Sequence, residues 1–316
     1  MTPPDAHGTA VLGGSGFLGR HICAALRHSG ARVVSVARRP APGFASVRAD
    51  LAREPVTALS ALLRRHRIAT VVNAAGAVWG YDTAALQESN VRLVERLREA
   101  AAAVPWRLRF VQIGTVFEYA PPRYGQRLTE KAPLQPSTAY GASKLQGGET
   151  VLAATADGLW DGLVLRATTC IGPGQPAEGL LGRVEAALRT AHRAGGTAHL
   201  RLTPLSAERD VVDCRDLAAA VTAAAASPAA GCAVNIGSGS AVPVRRLVDL
   251  LVTASGVPAR IVEEGPATGR SAGIDWLAVD TGRAGELLGW HPSYSRSQTV
   301  RDMWSEAITN AEEGPD

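Results

Sequence analysis

Tyr140 and Lys144 are the side chains of this sequence best suited to move a proton together. In the run Thr138-Ala139-Tyr140-Gly141-Ala142-Ser143-Lys144 they stand four residues apart, one turn of a helix, and so share one face. A phenol ionises near ~10 in water, and an ammonium beside it favours the phenolate. That brings the phenol into the range of acid–base work near neutral pH. Lysine is scarce in this chain: of 33 Lys and Arg, only Lys131 and Lys144 are lysine. Taken alone, the spacing fits an exposed helix face as well as a catalytic one, so its meaning depends on what precedes it.

What precedes it is a glycine turn set between a strand and a helix. Thr9 to Leu12 reads as a short buried strand, and a helical run follows from Arg20 to Ser29. Between them lies Gly13-Gly14-Ser15-Gly16-Phe17-Leu18-Gly19, which satisfies both G-x-G-x-x-G and G-x-x-G-x-x-G. Such a turn lets backbone approach a pyrophosphate that then sits on the helix N-terminus, and the motif has force only in this strand–turn–helix context. A second strand, Arg32 to Ala37, is followed by Arg38 and Arg39. A site for NAD usually offers an acid here for the ribose 2′-hydroxyl. Two guanidiniums can instead grip a 2′-phosphate, which favours NADP(H), unless they are simply exposed arginines.

A third strand, Ser46 to Asp50, brings Asp50 and Leu51 near the place of an adenine. The spacing of Leu59, Leu62 and Leu63 gives a helix over Glu54 to Arg67, and Ala69 to Asn73 is a fourth strand. Ala74, Ala75 and Gly76 follow it, small enough for backbone to pass close to a ligand. A long helix from Thr83 to Ala103 contains Asn90, Arg107 to Ile113 is a fifth strand, and Gly162 to Thr169 a sixth. This alternation is that of an α/β, doubly wound parallel sheet. After Gly172-Pro173-Gly174 the pattern loosens, with helices at Leu180–His192 and Val244–Ala254 among short strands. Val211 to Ala225 as a helix and Ala233 to Ile236 as a seventh strand return to the sheet. The division expected is a dinucleotide-binding part over 1–172, with 210–240 returning to it, and a smaller substrate-binding lobe over 173–316.

Composition excludes several classes. With 46% hydrophobic residues, 20% charged residues and a net charge of +4, the 316-residue chain is globular and buries a full core. No basic run with interleaved aromatics points to nucleic acid. The longest apolar run, Leu217 to Ala225, is half a membrane span, and Met1 to Gly8 lacks the apolar segment of a signal peptide. A cytoplasmic protein with no membrane partner is expected. Cys23, Cys170, Cys214 and Cys232 are isolated and read as small buried hydrophobes; neither they nor the histidines form a metal-ligand cluster.

Taken in order, the glycine turn, Asn73-Ala74-Ala75-Gly76, Thr115 and Tyr140-x-x-x-Lys144 make the chain resemble the extended short-chain dehydrogenase/reductase family, the nucleotide-sugar epimerases, dehydratases and 4-ketoreductases. The resemblance covers nearly the whole chain, including Ile113 to Tyr119, Leu165-Arg166 to Gly172-Pro173, Arg209-Asp210 to Asp213, Asn235-Ile236-Gly237 and Leu287 to Trp290. It implies a Rossmann-type sheet, with Thr115 bonding a substrate carbonyl and Tyr140 protonating the alkoxide as hydride is delivered from the nicotinamide. It further implies that Lys144 holds the nicotinamide ribose and that Asn90 holds a water or backbone near the lysine. Arg209 and Arg270 stand where relatives bind phosphate; Thr169 and Trp79 would line the sugar pocket. Relatives often pair through the helices carrying Asn90 and Tyr140, which makes a homodimer an expectation.

Two departures narrow the chemistry. Where the dehydratases carry an Asp-Glu pair after the threonine, this chain has Val116 and Phe117, neither of which can move a proton. Arg38-Arg39 suits net reduction with NADPH better than the tightly held NAD of the epimerases. The resemblance therefore implies an NADPH-dependent ketoreductase acting on a nucleotide-activated 4-keto-6-deoxysugar, in antibiotic or envelope sugar biosynthesis. A polyketide-type ketone as substrate and an NAD-retaining sugar epimerase are the alternatives.

Overall fold

The computed structural model of the chain describes residues 8–76, 82–266 and 273–312. Its centre is a seven-stranded parallel sheet: β1 (Gly8–Leu12), β2 (Arg32–Ala37), β3 (Ala45–Arg48), β4 (Ile68–Asn73), β5 (Leu108–Thr115), β6 (Trp160–Ala167) and β7 (Cys232–Ile236). Across the sheet the order is β7-β6-β5-β4-β1-β2-β3. Strands sandwiched between helices are buried on both faces and read as continuous apolar runs, as Gly8–Leu12 does, with every residue buried. Alternate side chains go to opposite faces. Ala10 and Leu12 enter a core shared with helices Val56–Arg65, Leu93–Ala102 and Ala139–Ala156, whereas Val11 enters one shared with Phe17–His28 and Cys214–Ala226. The stacked rings of Phe110 and Trp160, 4.3 Å apart, fill the first of these layers.

The order reverses between β1 and β4, and their carboxyl ends meet in register at Leu12 and Asn73. At such a switch point the flanking connections depart to opposite faces and leave a crevice, where open α/β sheets bind ligands. Thr115 ends β5 on the same edge, in register with Ala167.

A third apolar core gathers helices Leu180–Arg193, Val244–Ser255 and Arg296–Glu312 around Ala198–Leu202, and includes Val184, Leu188, Val248, Leu251 and Met303. The structure corrects three expectations about elements. Val211 is not helical: strand Glu208–Asp213 precedes helix Cys214–Ala226, because the Asp213 carboxylate accepts the Arg215 N–H and fixes the cap there. The sixth strand stops at Ala167, and Thr169–Ile171 pairs instead with Val211–Asp213. The Thr83–Ala103 helix is interrupted by a π-helical turn at Glu88–Arg92 between Thr83–Gln87 and Leu93–Ala102. Of the cysteines, Cys23 and Cys214 are buried and Cys170 and Cys232 only partly so.

Candidate active site

The glycine turn closes on itself. Gly13 holds a φ of +78°, open to glycine at no cost, and its carbonyl accepts the Gly16 N–H at 2.9 Å. A methyl at Gly19 would drive into that same Gly13 carbonyl, and one at Gly14 into Ser35, so only glycines let the helix start this close to the turn. Helix Phe17–His28 begins at Gly16 with no side-chain cap. Its first amides therefore have neither an intrahelical acceptor nor a capping oxygen, and a phosphate is the group such a terminus takes up. The residues present fit a dinucleotide. Ser15 and Leu18 are half-buried beside the turn.

Behind the crevice, Asn73 and Gln112 bridge β4 and β5 through a 2.8 Å hydrogen bond, and the Ala75 N–H donates to Asn73 Oδ1 at 3.2 Å. These contacts fix the path Ala74-Ala75-Gly76. A Cβ on Gly76 would stand 2.7 Å from Asn90 Oδ1 and 3.8 Å from Lys144 Nζ, so backbone passes directly over both side chains.

Thr138 caps helix Ala139–Ala156 by accepting the Gly141 N–H at 3.1 Å, and that cap puts Tyr140 in the first turn with Lys144 one turn on. Tyr140 is half-buried, its ring edge-on to Phe117 at 6.5 Å. Lys144 is buried, and burial pulls its pKa down to about 8 against the opposing charge of Glu118. Asn90 lies in the π turn. Its Nδ2 donates to Ser143 Oγ at 3.0 Å, and Ser143 donates on to the Tyr140 carbonyl at 2.9 Å, so the asparagine braces the turn between tyrosine and lysine. The π turn rotates this side chain onto the neighbouring helix; such bulges in helices often serve sites.

Thr115 is buried at the carboxyl end of β5 and caps the 3₁₀ turn Val116–Glu118. The Thr115 N–H donates to Glu118 Oε1 at 2.8 Å, and Thr115 Oγ1 accepts the Phe117 N–H at 3.4 Å. The second Glu118 oxygen accepts Arg166 Nε at 2.6 Å, Arg166 Nη1 reaches Tyr119 Oη at 3.1 Å, and Tyr119 donates to Asn235 Oδ1 at 2.7 Å. Glu118 and Arg166 lie in segments that the family resemblance covers, but the resemblance assigns them no role. The signal was present as Thr115-Val116-Phe117-Glu118, the Thr-x-x-Glu pattern of a capping box.

The other expected residues are distributed more widely. Arg38 and Arg39 are exposed just past β2. Asp50 and Leu51 follow β3, which ends earlier than expected, at Arg48; Leu51 is buried, and Asp50 Oδ1 accepts the Ala52 N–H at 3.3 Å. Thr169 is half-buried at the start of its short strand. Arg209 is buried, with Nη1 donating to the Glu208 carbonyl at 2.8 Å and Nη2 to the Ile274 carbonyl. Its neighbour Asp210 accepts from Ser238 N and Oγ and from the Gly239 and Val279 amides, an anchor for those loops. Trp79 and Arg270 lie outside the described residues.

Against known proteins, residues 9–237 match the NAD dependent epimerase/dehydratase family. The chain is 43% identical over 304 residues, 95% of each chain, to dTDP-6-deoxy-L-talose 4-dehydrogenase (NAD(P)(+)) of Kitasatospora kifunensis. Among solved structures it superposes on MoeE5 in complex with UDP-glucose and NAD, at TM-score 0.82 and 24% identity over 96% of this chain and 99% of that one. RMD from Pseudomonas aeruginosa complexed with NADPH gives the same TM-score, identity and coverage. With the sheet order and the glycine turn, these matches mean that the chain belongs to the NAD dependent epimerase/dehydratase family, as an NAD(P)-dependent oxidoreductase of the extended short-chain dehydrogenase/reductase type.

Proposed function

We propose that the protein interconverts the 4-keto and 4-hydroxy forms of a nucleotide-activated 6-deoxysugar and works as an NADPH-dependent reductase. What supports the proposal is that the turn after Thr115 meets the helix of Tyr140 and Lys144: the Phe117 ring stands edge-on to Tyr140 at 6.5 Å, Glu118 accepts the Thr115 N–H, and a Cβ on Gly76 would stand 3.8 Å from Lys144 Nζ. A bound nicotinamide supplies or accepts the hydride. The chain does the rest: Thr115 Oγ1 holds the carbonyl oxygen, Tyr140 delivers the proton to it, and Lys144, with Asn90 and Ser143 bracing its turn, keeps the phenol acidic enough to exchange that proton. In the other direction the same groups accept the proton, so which reaction runs is set by the cofactor ratio.

Three features support the finer reading. The 43% identical relative is named for a 4-dehydrogenation of a dTDP-linked 6-deoxysugar, which makes a dTDP-linked 4-ketosugar the first substrate to try. Val116 and Phe117 are buried apolar residues after Thr115, so those two positions offer no acid–base pair to eliminate water. Arg38 and Arg39, exposed at the end of β2, suit a 2′-phosphate. The sugar would lie against the separate core beyond residue 172, with Thr169 and Trp79 as its contacts and Arg209 and Arg270 as the candidates for its diphosphate. The test is NADPH and NADH oxidation against a panel of nucleotide 4-keto-6-deoxysugars and free aromatic ketones. Turnover on a nucleotide sugar with NADPH preferred is expected; turnover only on the free ketones would overturn the substrate class.

A further inference from the structure

We propose that Glu118 is a positioning residue of this site: one buried carboxylate fixes Thr115 through its main-chain N–H and supplies the negative charge that Lys144 faces inside the protein. The inference rests on the roles given above to Thr115 and Lys144. Glu118 is fully buried on the turn between β5 and the loop to the Tyr140 helix. A methyl at Gly114 would stand 2.6 Å from its Oε1, so the strand end is moulded around the carboxylate. Oε1 accepts the Thr115 N–H and Oε2 accepts Arg166 Nε, two donors that the carboxylate form matches and a neutral acid matches less well.

The helix of Lys144 packs on the 3₁₀ turn of Glu118, where a methyl at Gly141 would meet the Phe117 carbonyl; from that turn Glu118 is the charged group that acts on Lys144, with Arg166 bonded to Glu118 and Tyr119 bonded to Arg166 behind it. Burial pushes the Glu118 carboxyl up, opposed by Arg166, by the Thr115 amide and by the charge of Lys144. Burial drives Lys144 down to about 8, and Glu118 is the group that raises it. Without that carboxylate the lysine would lose its proton at a lower pH, and with it the charge that acidifies Tyr140.

The two-lysine composition makes a direct test practical, because protein labelled with [ε-¹³C]lysine carries labelled side chains only at Lys131 and Lys144. NADP⁺-saturated protein is titrated by NMR as wild type, Glu118→Gln and Glu118→Asp, with Lys144→Met assigning the signal. The expected result is a Lys144 midpoint about one pH unit lower in Glu118→Gln, as removal of a close opposite charge gives. In Glu118→Asp the midpoint returns toward wild type, and the exposed Lys131 stays unmoved in every variant. The alkaline limb of kcat should move down with it. If Glu118→Gln does not fold because Arg166 is left unpaired, Glu118→Gln/Arg166→Gln takes its place with the same expected sign. A Lys144 midpoint unchanged in the folded variant overturns the proposal. The titration needs no sugar, so a failed substrate panel would leave this result readable.

Discussion

At the scale of single residues, the site divides into groups that would touch a ligand and groups that hold them still. Thr115, the one hydroxyl-bearing residue of β5, is proposed for the first. Thr115→Val is expected to lower kcat by about 10²- to 10³-fold, the loss seen when one donor to a developing oxyanion is removed. Steady-state kinetics on the reduced ketosugar check this, and Thr115→Ser should recover most of the rate. Arg38 and Arg39 make a separable prediction. A charge-assisted hydrogen bond is worth about 1.5–3 kcal/mol, so Arg38→Ala/Arg39→Ala should raise KM for NADPH by about 10- to 100-fold and leave KM for NADH unchanged. The helix that carries Tyr140 and Lys144 one turn apart was legible in the sequence because it depends on short spacing alone. The Glu118–Arg166 ion pair was not, since it spans 48 residues of chain and comes into being only when β5 and β6 lie side by side.

At the scale of elements, helix Ala139–Ala156 is held by glycines. A methyl at Gly141 would meet the Phe117 carbonyl and one at Gly147 the Asn90 carbonyl, so this helix sits against the 3₁₀ turn and the π turn with no space to spare. Gly147→Ala forces them apart and is expected to cost about 1–3 kcal/mol, as overpacking does, and to lower kcat more than it raises KM. Denaturant unfolding and kinetics on the same preparation check both parts. The parallel strands and the glycine turn were readable ahead of the structure because apolar runs and local turn chemistry do not depend on distant contacts. The π turn and the early end of the sixth strand were not. The first goes with the bond from Asn90 to Ser143, 53 residues on, and the second with Thr169–Ile171 pairing with Val211–Asp213.

At the scale of the whole molecule, the first and last helices are tied together beside the glycine turn. Arg20 donates to the Pro173 carbonyl at 2.6 Å and pairs with Glu306 at 2.7 Å. Close by, burial raises Glu185 to about 7, opposed by Arg189 and reinforced by Glu306, and Glu185 Oε2 has no hydrogen-bond partner. A raised carboxyl favours folding in its protonated form; that contribution is complete below the ordinary glutamate pKa and is lost as pH rises through about 7. Glu185→Gln should therefore match wild type near pH 4 and exceed it by about 2 kcal/mol near pH 8.5, read from urea unfolding at the two values. The proposed reaction requires Tyr140 to exchange a proton with the substrate oxygen beside a bound dinucleotide. Tyr140→Phe, with NADPH affinity and ketosugar reduction measured side by side, removes that proton alone. Turnover should fall by at least about 10²-fold with NADPH binding intact, whereas wild-type turnover in the folded variant would rule out Tyr140 as the proton donor.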